Sequence, residues 1–590
     1  MAETETEEEL PEESESRSSA GFTERVRFVG HVHRQLNFSV FGLSLLAIPV
    51  GILSAYGAWG FLLAFNSLGS WLRDFDWIEP QYFQWLALIA GGVIFGIILQ
   101  VVKWQRFTGP AHVIVAASEN GGKLRLRDGL ISSFADALSL ALAAPVGRYG
   151  PAVQLGATIG SVCAQALRLG ETSIRILLGC GVAAAISAAF NAPIAGVIFA
   201  HEVILGHFKL KAFAPITLAS VSSVAIARAH SFEYVALKLW SAPHEITLGH
   251  YPVYLGFGLL AALVAMLYMS GVMAISKTAE RAHIPKWIQP AIGGAVAGAM
   301  ALWMPLILGL GDNVLQNVLE QDLEDPKFGL TMLLSLGLAK LVASAFSLGL
   351  RYPGGTFTPA MFLGAMLGGV CGMLIDSLDY QISVLVGMGA VVGAVIGAPL
   401  TVILIVFELT ENYEAATAVM VAVVLANAVV TRYFARSLFH RQIRYWGIEI
   451  DRPAEQRILS RRQVGTLIRR HYTPIQADAT VQELQEEQQK NPGRAIYVVD
   501  SRGDLVGEVP ELNWNDIDSE LPLKEFCQEP KVILEQDESL WSGFEKFEAS
   551  DVDLAPVVES VDSRRLVGLA RFPDFLAAYR RAVQEGRKQS

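Results

Sequence analysis

A long succession of apolar segments constrains this chain most strongly. From residue 37 to residue 439 such segments follow one another with only short polar breaks. A segment of about 20 apolar residues can cross a hydrocarbon core about 30 Å thick as a helix, and the clearest examples are residues 83–102, 174–200, 254–275, 330–348, 382–407 and 415–430. Segments 130–144 and 153–166 are shorter, and we expect helices there that cross only part of a bilayer. The pattern predicts an all-α polytopic membrane domain.

The composition excludes several other classes of protein. Hydrophobic residues make up 52% of the 590 residues and charged residues 17%, whereas an ordinary soluble domain is about 25% charged. A soluble enzyme, a disordered scaffold and a fibrous protein are therefore excluded, and the net charge of −11 argues against a nucleic-acid partner. The sequence contains no P-loop, HExxH or GxSxG motif, so we do not expect an enzyme. Nor do the four cysteines form a CxxC pair, and no metal site is expected.

Changes in composition along the chain divide it into four expected parts. Residues 1–36 are rich in Glu and Ser and predict a disordered acidic arm. Residues 37–450 form the membrane domain, with halves at about 37–245 and 250–440. Residues 451–470 are a charged linker, and residues 471–590 alternate helical and strand patterns as a small α/β domain does.

Basic residues gather at 123–127 and 432–444, beside apolar segments. Cytoplasmic loops carry an excess of Lys and Arg. We therefore expect these loops, both termini and the α/β domain in the cytoplasm. The expected location is the cell membrane, plasma or inner.

The two halves of the membrane domain carry an internal repeat. Five residues of the first half recur in the second with identical spacing: Gly147, Pro151, Gly156, Ala157 and Gly160 correspond to Gly355, Pro359, Gly364, Ala365 and Gly368. Further along, an Ala-Pro pair is followed nine residues after its proline by a glutamate in both halves, Glu202 and Glu408. The repeat predicts two structurally related, inverted halves.

Such repeats place a substrate near the middle of the membrane, where short helices break. Glycine and proline are the residues that a helix start at such a break requires. The N–H groups and positive dipole end of a helix N-terminus attract an anion. Acidic residues within the apolar segments are few, chiefly Asp136, Glu202 and Glu408. The pattern therefore favours an anion pathway over a cation pathway.

Four short motifs resemble those of the CLC chloride channel and transporter family. Residues 147–151 read GRYGP and are similar to the family's GREGP or GKEGP motif, and residues 355–359, GTFTP, resemble its GxFxP motif. Residues 190–196 and 407–410 also resemble family segments in order and spacing. The resemblance implies a homodimer in the lipid bilayer, in which each subunit has its own pathway for a small inorganic anion.

The same resemblance implies where the anion lies. The N–H donors of its site map onto Thr356 and Phe357, next to Gly355, and a hydroxyl donor maps onto Thr108 beside Gly109. An alternative match puts Phe107 at that hydroxyl position. The second hydroxyl of the family is a tyrosine, for which this chain has Phe439. One donor is therefore expected to be missing.

The resemblance also identifies the positions that carry protons in coupled members of the family. Tyr149, between Arg148 and Gly150, stands at the gate position where those members have a glutamate, and a phenol has an unperturbed pKa of about 10. Val203 stands at the internal proton site and cannot titrate. The possible substitutes are His201 and Glu202.

These departures predict an uncoupled, channel-like or facilitative anion pathway. The aromatic residues Tyr149, Phe357 and Phe439 leave open a larger polyatomic anion such as bicarbonate or nitrate. A proton-coupled antiporter with relocated proton residues is a second alternative. A third, from another class, is a divalent-cation transporter regulated by CBS domains, which the scarcity of intramembrane carboxylates disfavours.

The C-terminal residues 473–507 and 530–568 resemble a tandem pair of CBS motifs. A nucleotide-binding pair has a Ser or Thr, and an Asp three residues later, after each motif's glycine. Here those four positions hold Pro510, Asn513, Arg571 and Asp574, so one of them matches. No cofactor is therefore expected, with a nucleotide at the CBS module as the alternative.

Overall fold

The structure is a computed structural model that describes residues 40–73, 80–230, 246–320, 328–450, 453–470, 472–490, 495–509, 517–550, 552–560 and 562–589. The acidic arm predicted for residues 1–36 lies outside these ranges, as do Pro510 and Asn513. Contacts within the chain divide it into two units, one ending at Ile450 and the other beginning at Asp451.

The first unit is helical along its described length. Its first half contains α1 (Val40–Arg73), α2 (Pro80–Val102), α3 (Pro110–Glu119), α4 (Leu126–Ala141), α5 (Tyr149–Ala166), α6 (Glu171–Phe190), α7 (Pro193–Phe199) and α8 (Leu210–Ala229). Its second half contains α9 (Tyr251–Arg281), α10 (Gln289–Ala301), α11 (Asp312–Leu319), α12 (Leu330–Gly349), α13 (Phe357–Leu374), α14 (Tyr380–Ile396), α15 (Pro399–Thr410), α16 (Tyr413–Tyr433) and α17 (Leu438–Tyr445).

Many of these helices have the length and composition of membrane spans. Within the described residues, eight helical segments are long and apolar enough to cross a membrane. Helix α4 has 16 residues, which gives a length of about 24 Å at 1.5 Å per residue. That length is short of a hydrocarbon core about 30 Å thick. The multi-pass helical architecture expected from the apolar segments is thus present.

Two apolar segments that are continuous in the sequence are divided in the structure. The first breaks between α6 and α7 at Asn191, where φ is 53°, and the second breaks between α14 and α15 at Gly397, where φ is 69°. Left-handed residues of this kind end helices. In each case a proline, Pro193 or Pro399, begins the next helix, because its missing N–H has no intrahelical partner at that position. Hydropathy alone does not reveal such breaks.

The repeated glycines hold a pair of helices together in each half. A Cβ on Gly156 of α5 would lie 2.3 Å from the carbonyl oxygen of Gly181 in α6. A Cβ on Gly364 of α13 would lie 2.4 Å from the carbonyl oxygen of Gly387 in α14. Small residues let membrane helices approach this closely. The repeat seen in the sequence is therefore a repeat of helix packing.

The second unit contains two three-stranded sheets. Its elements are α18 (Ala454–Ser460), β1 (Tyr472–Gln476), α19 (Val481–Lys490), β2 (Ala495–Val499), β3 (Leu505–Glu508), β4 (Leu534–Glu535), α20 (Leu540–Ser550), β5 (Leu554–Val558), β6 (Leu566–Arg571) and α21 (Phe572–Gln589). In each sheet the first two strands are parallel and the last two antiparallel. A helix connects the parallel strands in both halves, so this unit is the small α/β region predicted.

Candidate functional site

The two halves of the membrane unit meet where α5 and α13 begin. The N–H of Gly147 donates to the carbonyl of Gly355 at 2.8 Å, and the N–H of Gly355 donates back at 2.7 Å. This antiparallel bridge brings the first residues of both helices, Tyr149 and Phe357, close to the same place. The N–H groups in the first turn of a helix have no intrahelical acceptor. Two sets of such donors therefore converge at the centre of the repeat.

A cavity of about 110 Å³ adjoins this bridge. Several separate segments supply its lining: the connection from α2 to α3 with the start of α3, the end of α12 with the connection to α13, and residues of α4, α9 and α17. Five of the residues singled out in the sequence lie on it, namely Thr108, Gly109, Gly355, Thr356 and Phe439. Phe107, the alternative to Thr108, also lines the cavity.

Among the described residues, two hydroxyl groups on the cavity have no hydrogen-bond partner. The side-chain oxygens of Thr108 and Thr356 are both buried, and neither has a partner among the described residues. A buried polar group without a partner costs about 1–3 kcal/mol. The backbone N–H of Thr108 is held by the hydroxyl oxygen of Ser132 at 3.0 Å. The cavity thus offers two oriented hydroxyls that an anion can accept from.

Two arginines that sequence reasoning did not single out also line the cavity. Arg351 donates to the side-chain oxygen of Gln289 at 2.7 Å and forms an ion pair with Glu280 at 3.0 Å. The guanidinium of Arg106 lies 4.6 Å from the centre of the Trp446 ring. Burial, together with the nearby charge of Arg351, lowers the pKa of Arg106 to about 10, so it stays charged at neutral pH. The lining therefore includes two guanidinium groups, of which that of Arg351 is paired with Glu280.

Asp136 lines the same cavity and is 3% exposed. In the sequence it stands out only as one of the few acidic residues in an apolar segment. No spacing rule relates it to Thr108 or Thr356, because these residues lie on different elements.

Four other predicted residues gather at the helix starts rather than on the cavity lining. The ring of Tyr149 stacks on Phe190, with centroids 4.1 Å apart, and meets Phe357 edge-on at 5.0 Å. Its side chain is 5% exposed. We call Tyr149, Phe190 and Phe357 the aromatic cluster. Gly150 lies against the second helix start, where an added Cβ would be 3.0 Å from the Cα of Gly355.

Arg148 connects the aromatic cluster to a nearby carboxylate. Its guanidinium donates to the hydroxyl of Tyr149 at 3.4 Å and lies 3.3 Å from a carboxylate oxygen of Asp312. The side chains of Arg148 and Asp312 are 11% and 20% exposed, so water screens this pair only partly. The phenol is therefore held both by ring stacking and by a charged donor.

The three residues considered for proton transfer lie in a π-helical turn, Ala200–Leu205. His201 is fully buried; its Nδ1 is 2.8 Å from the carbonyl oxygen of His207, and its ring stacks on Phe208 at 5.5 Å. Val203 is 4% exposed. These three residues are consecutive in the sequence, and the cavity lining among the described residues includes none of them.

Glu202, which follows α7 in the chain, caps the N-terminus of α15, and Glu408, which lies in α15, caps the N-terminus of α7. The carboxylate of Glu202 accepts from the N–H groups of Leu400 and Thr401, at 3.1 and 2.9 Å, at the start of α15. The carboxylate of Glu408 accepts from the N–H groups of Ile194 and Ala195, at 2.9 and 2.8 Å, at the start of α7. The repeated glutamates thus satisfy the donors of two short helices.

Comparison with known protein sequences identifies a family for the membrane unit. The sequence model of the family described as "Voltage gated chloride channel" matches residues 91–431. A ClcB-like chloride channel protein of Ralstonia nicotianae is 32% identical over 377 residues, which cover 62% of this chain and 86% of that protein.

Solved structures with similar folds include two antiporters. A slow cyanobacterial Cl⁻/H⁺ antiporter has a TM-score of 0.59 at 21% identity, covering 68% of this chain and 97% of the other. A CLC-type fluoride/proton antiporter has a TM-score of 0.60 at 22% identity, covering 68% of this chain and 98% of the other. These likenesses establish the fold of the membrane unit.

Proposed function

Because the chain belongs to the voltage-gated chloride channel family, we propose that its CLC-type anion transport is uncoupled from protons. Chloride or another small anion then passes through a channel-like or facilitative pathway. The observation that carries this proposal is the pair of non-titrating residues at the family's two proton positions. Tyr149 occupies one as a neutral phenol, and Val203 occupies the other as a buried aliphatic side chain.

The surroundings of the substitutes support the same proposal. Both carboxylate oxygens of Glu202 accept hydrogen bonds from the start of α15, and protonation would weaken those bonds. His201 is packed among aromatic rings and bonded to the carbonyl of His207. Both side chains have structural roles that account for them without proton transfer.

In this proposal the anion lies in the cavity next to the Gly147–Gly355 bridge. Thr108 and Thr356 supply hydroxyl donors, and Gly109 and Gly355 allow the backbone to approach. Phe357, the first residue of α13 and the neighbour of the lining residue Thr356, supplies an N–H. Phe439 closes one wall without a hydroxyl, so the tyrosine donor of the family pattern is missing from that wall. A hydrogen bond to a charged partner contributes about 1.5–3 kcal/mol. We therefore expect the anion to be held less tightly on the side of Phe439 than on the side of the two threonines.

The test is a flux measurement on purified protein in liposomes loaded with chloride. Valinomycin sets the membrane potential, and anion efflux and internal pH are recorded together. Efflux of chloride with no accompanying proton movement is the expected result. Protons driven uphill by a chloride gradient would overturn the proposal and restore the antiporter alternative with His201 and Glu202. Replacing chloride by nitrate or bicarbonate tests the polyatomic alternative in the same vesicles.

We also propose a homodimer in the cell membrane with both termini in the cytoplasm. Helices α7 and α15 have 7 and 12 residues and are too short to span. Their capping carboxylates, Glu408 and Glu202, are only partly buried within one subunit. Carboxylates facing lipid are costly, so a second copy that covers this face accounts for their position.

For the second unit we propose a CBS-like role that does not require a nucleotide. The carboxylate of Asp574, at the single matching position of the motif, accepts two hydrogen bonds from Arg469 at 2.8 and 2.7 Å. A ribose would have to displace this pair. Thermal unfolding of the purified chain with and without ATP tests this: we expect the melting temperature to change by less than about 1 °C, because a ligand stabilises only a fold that binds it.

A further inference from the structure

One face of helix α4 forms hydrogen bonds with two loops that line the anion cavity, the connection from α2 to α3 and the connection from α12 to α13. Ser132, Asp136 and Ser139 are spaced four and three residues apart, which puts them on the same face of a helix. The hydroxyl oxygen of Ser132 accepts from the N–H of Thr108 at 3.0 Å, and the hydroxyl of Ser139 donates to the carbonyl of Pro353 at 2.7 Å. Asp136 therefore lies between two points of attachment, and it lines the cavity.

The carboxylate of Asp136 lacks the partners that account for the other intramembrane carboxylates. Glu202 and Glu408 each cap a helix, whereas no hydrogen bond or ion pair with another described residue reaches Asp136. The residue is 3% exposed. A buried ionised carboxylate without a partner is costly, and such a group tends to take up a proton instead. Packing alone therefore does not explain an aspartate at this position.

The charged and titratable groups around Asp136 come from several elements. On the cavity lining they are Arg106, His112, Arg351, Tyr352 and Tyr445. Arg351 is already paired with Glu280, and the rings of His112 and Trp446 lie 4.5 Å apart. The helices packed on α4 are α1, α2 and α5, whose ionisable residues are Tyr56, Arg73, Tyr82, Tyr149 and Cys163. Tyr56, Tyr82, Tyr149 and Cys163 do not line the cavity, and Asp136 is the one carboxylate on its lining among the described residues.

We propose that Asp136 is a proton-binding site within the anion cavity, so that proton and anion bind together. This inference rests on the proposed function, in which an anion occupies that cavity. An ionised Asp136 repels an anion in a space of about 110 Å³. A protonated Asp136 is neutral and has an O–H that can donate to the anion beside Thr108 and Thr356.

The proton is taken from water on the side to which the cavity opens and returns to that side when the anion leaves. No other bond forms or breaks. Because Tyr149 and Val203 offer no carrier beyond the cavity, the proton is not carried across the membrane. Transport is then uncoupled from protons yet dependent on pH.

The experiment measures chloride efflux from liposomes with the same pH on both sides, between about pH 5 and about pH 8. In the unmodified protein we expect efflux to fall as pH rises, by up to about tenfold per pH unit, the limit for one titrating group. Asp136→Asn removes the charge and the titration, so its efflux should vary less than about twofold over the same range. Asp128→Asn is the matched control, because Asp128 is on the same helix but not on the cavity, and it should keep the original pH dependence.

A second measurement follows binding directly. Chloride is added to purified protein in weakly buffered detergent solution, and proton uptake is recorded. The unmodified protein and the Asp128→Asn variant should take up at most about one proton per bound anion, and Asp136→Asn should take up none. Asp136→Glu keeps a carboxylate and should keep uptake, which separates the effect of the charge from any effect on folding.

Distinct results would overturn this inference or the proposed function. If Asp136→Asn keeps the pH dependence, or if His112→Gln abolishes it, Asp136 is not the proton-binding group. If no anion flux occurs at any pH, the proposed function fails, while proton uptake on anion binding still decides the role of Asp136.

Discussion

In the proposed pathway, Tyr149 puts an uncharged ring where the proton-coupled pattern of the family has a glutamate. Its contacts are of two kinds: ring contacts, stacked on Phe190 and edge-on to Phe357, and a hydrogen bond from Arg148. Aromatic pairs contribute about 0.5–1.5 kcal/mol each beyond their buried area. The ring is therefore held by interactions that pH does not change in the physiological range.

We predict that Tyr149→Ala raises anion efflux from liposomes. Loss of two ring contacts of about 1 kcal/mol each would favour the open pathway by up to about thirtyfold. Tyr149→Phe keeps both ring contacts and loses only the hydroxyl, and it should stay within about threefold of the unmodified protein. If efflux rose equally in the two variants, the hydrogen bond with Arg148, and not the ring contacts, would control the pathway.

The hydroxyls of Thr108 and Thr356 allow a test in which stability and affinity change in opposite directions. Valine has nearly the shape of threonine and removes an unpartnered buried hydroxyl. We expect the free energy of unfolding of Thr356→Val in anion-free detergent to rise by about 1 kcal/mol, so this variant should unfold at a higher temperature. Its affinity for chloride, measured by calorimetry, should fall about tenfold or more through the loss of one donor.

Thr358 provides the matched control. Its hydroxyl is also buried and has no partner in the part of the chain that the structure describes, but Thr358 does not line the cavity. Thr358→Val should gain stability with unchanged affinity. A fall in affinity as large as that of Thr356→Val would mean that the anion does not lie in this cavity.

Among the elements, α7 and α15 depend on each other through their caps. Each is short, and each receives its N-terminal acceptor from the other half of the repeat, Glu408 or Glu202. Charge-assisted hydrogen bonds of this kind contribute about 1.5–3 kcal/mol each. The reciprocal arrangement makes the two halves of the repeat fold together.

We therefore predict that Glu202→Gln and Glu408→Gln each lower the free energy of unfolding by about 2 kcal/mol. Thermal unfolding in detergent measures the loss. Glu411→Gln is the control, because Glu411 is exposed just after α15, and its change should be within about 0.5 kcal/mol. Efflux from Glu202→Gln should remain uncoupled; if proton movement appeared in the unmodified protein and vanished here, Glu202 would be a proton carrier.

Sequence patterns account for the helices and the repeat, and for only part of the site. Hydropathy gives the spans, and the matched glycines give the paired helices, because both depend on neighbours in sequence or in the repeat. The breaks at Asn191 and Gly397 are set by single left-handed residues inside apolar segments. Asp136 and Thr108 line the same cavity because of how α4 packs, which no local spacing encodes.

At the scale of the whole molecule, the surface of the membrane unit carries both exposed apolar side chains and partly buried carboxylates. The membrane unit leaves apolar side chains exposed on many helices, which lipid or protein can cover. Near the two capped helices, however, exposed apolar residues such as Ile194 and Leu400 adjoin partly buried carboxylates. Lipid can cover the apolar side chains, but contact with lipid is unfavourable for the carboxylates. A second subunit suits both, and this favours the face around α7 and α15 as the dimer interface.

The double variant Ile194→Trp with Leu400→Trp tests this interface. Both residues are about half exposed in one subunit, at 53% and 49%, so the larger rings fit a monomer but collide with a partner packed on this face. We expect light scattering in detergent to give half the mass of the unmodified protein. Leu334→Trp with Leu338→Trp, on an equally exposed face of α12, should leave the mass unchanged. Chloride efflux should persist in the first variant, because every residue of the cavity and of the aromatic cluster comes from one chain. A monomer without efflux would mean that the pathway needs the partner. An unchanged mass would place the interface elsewhere.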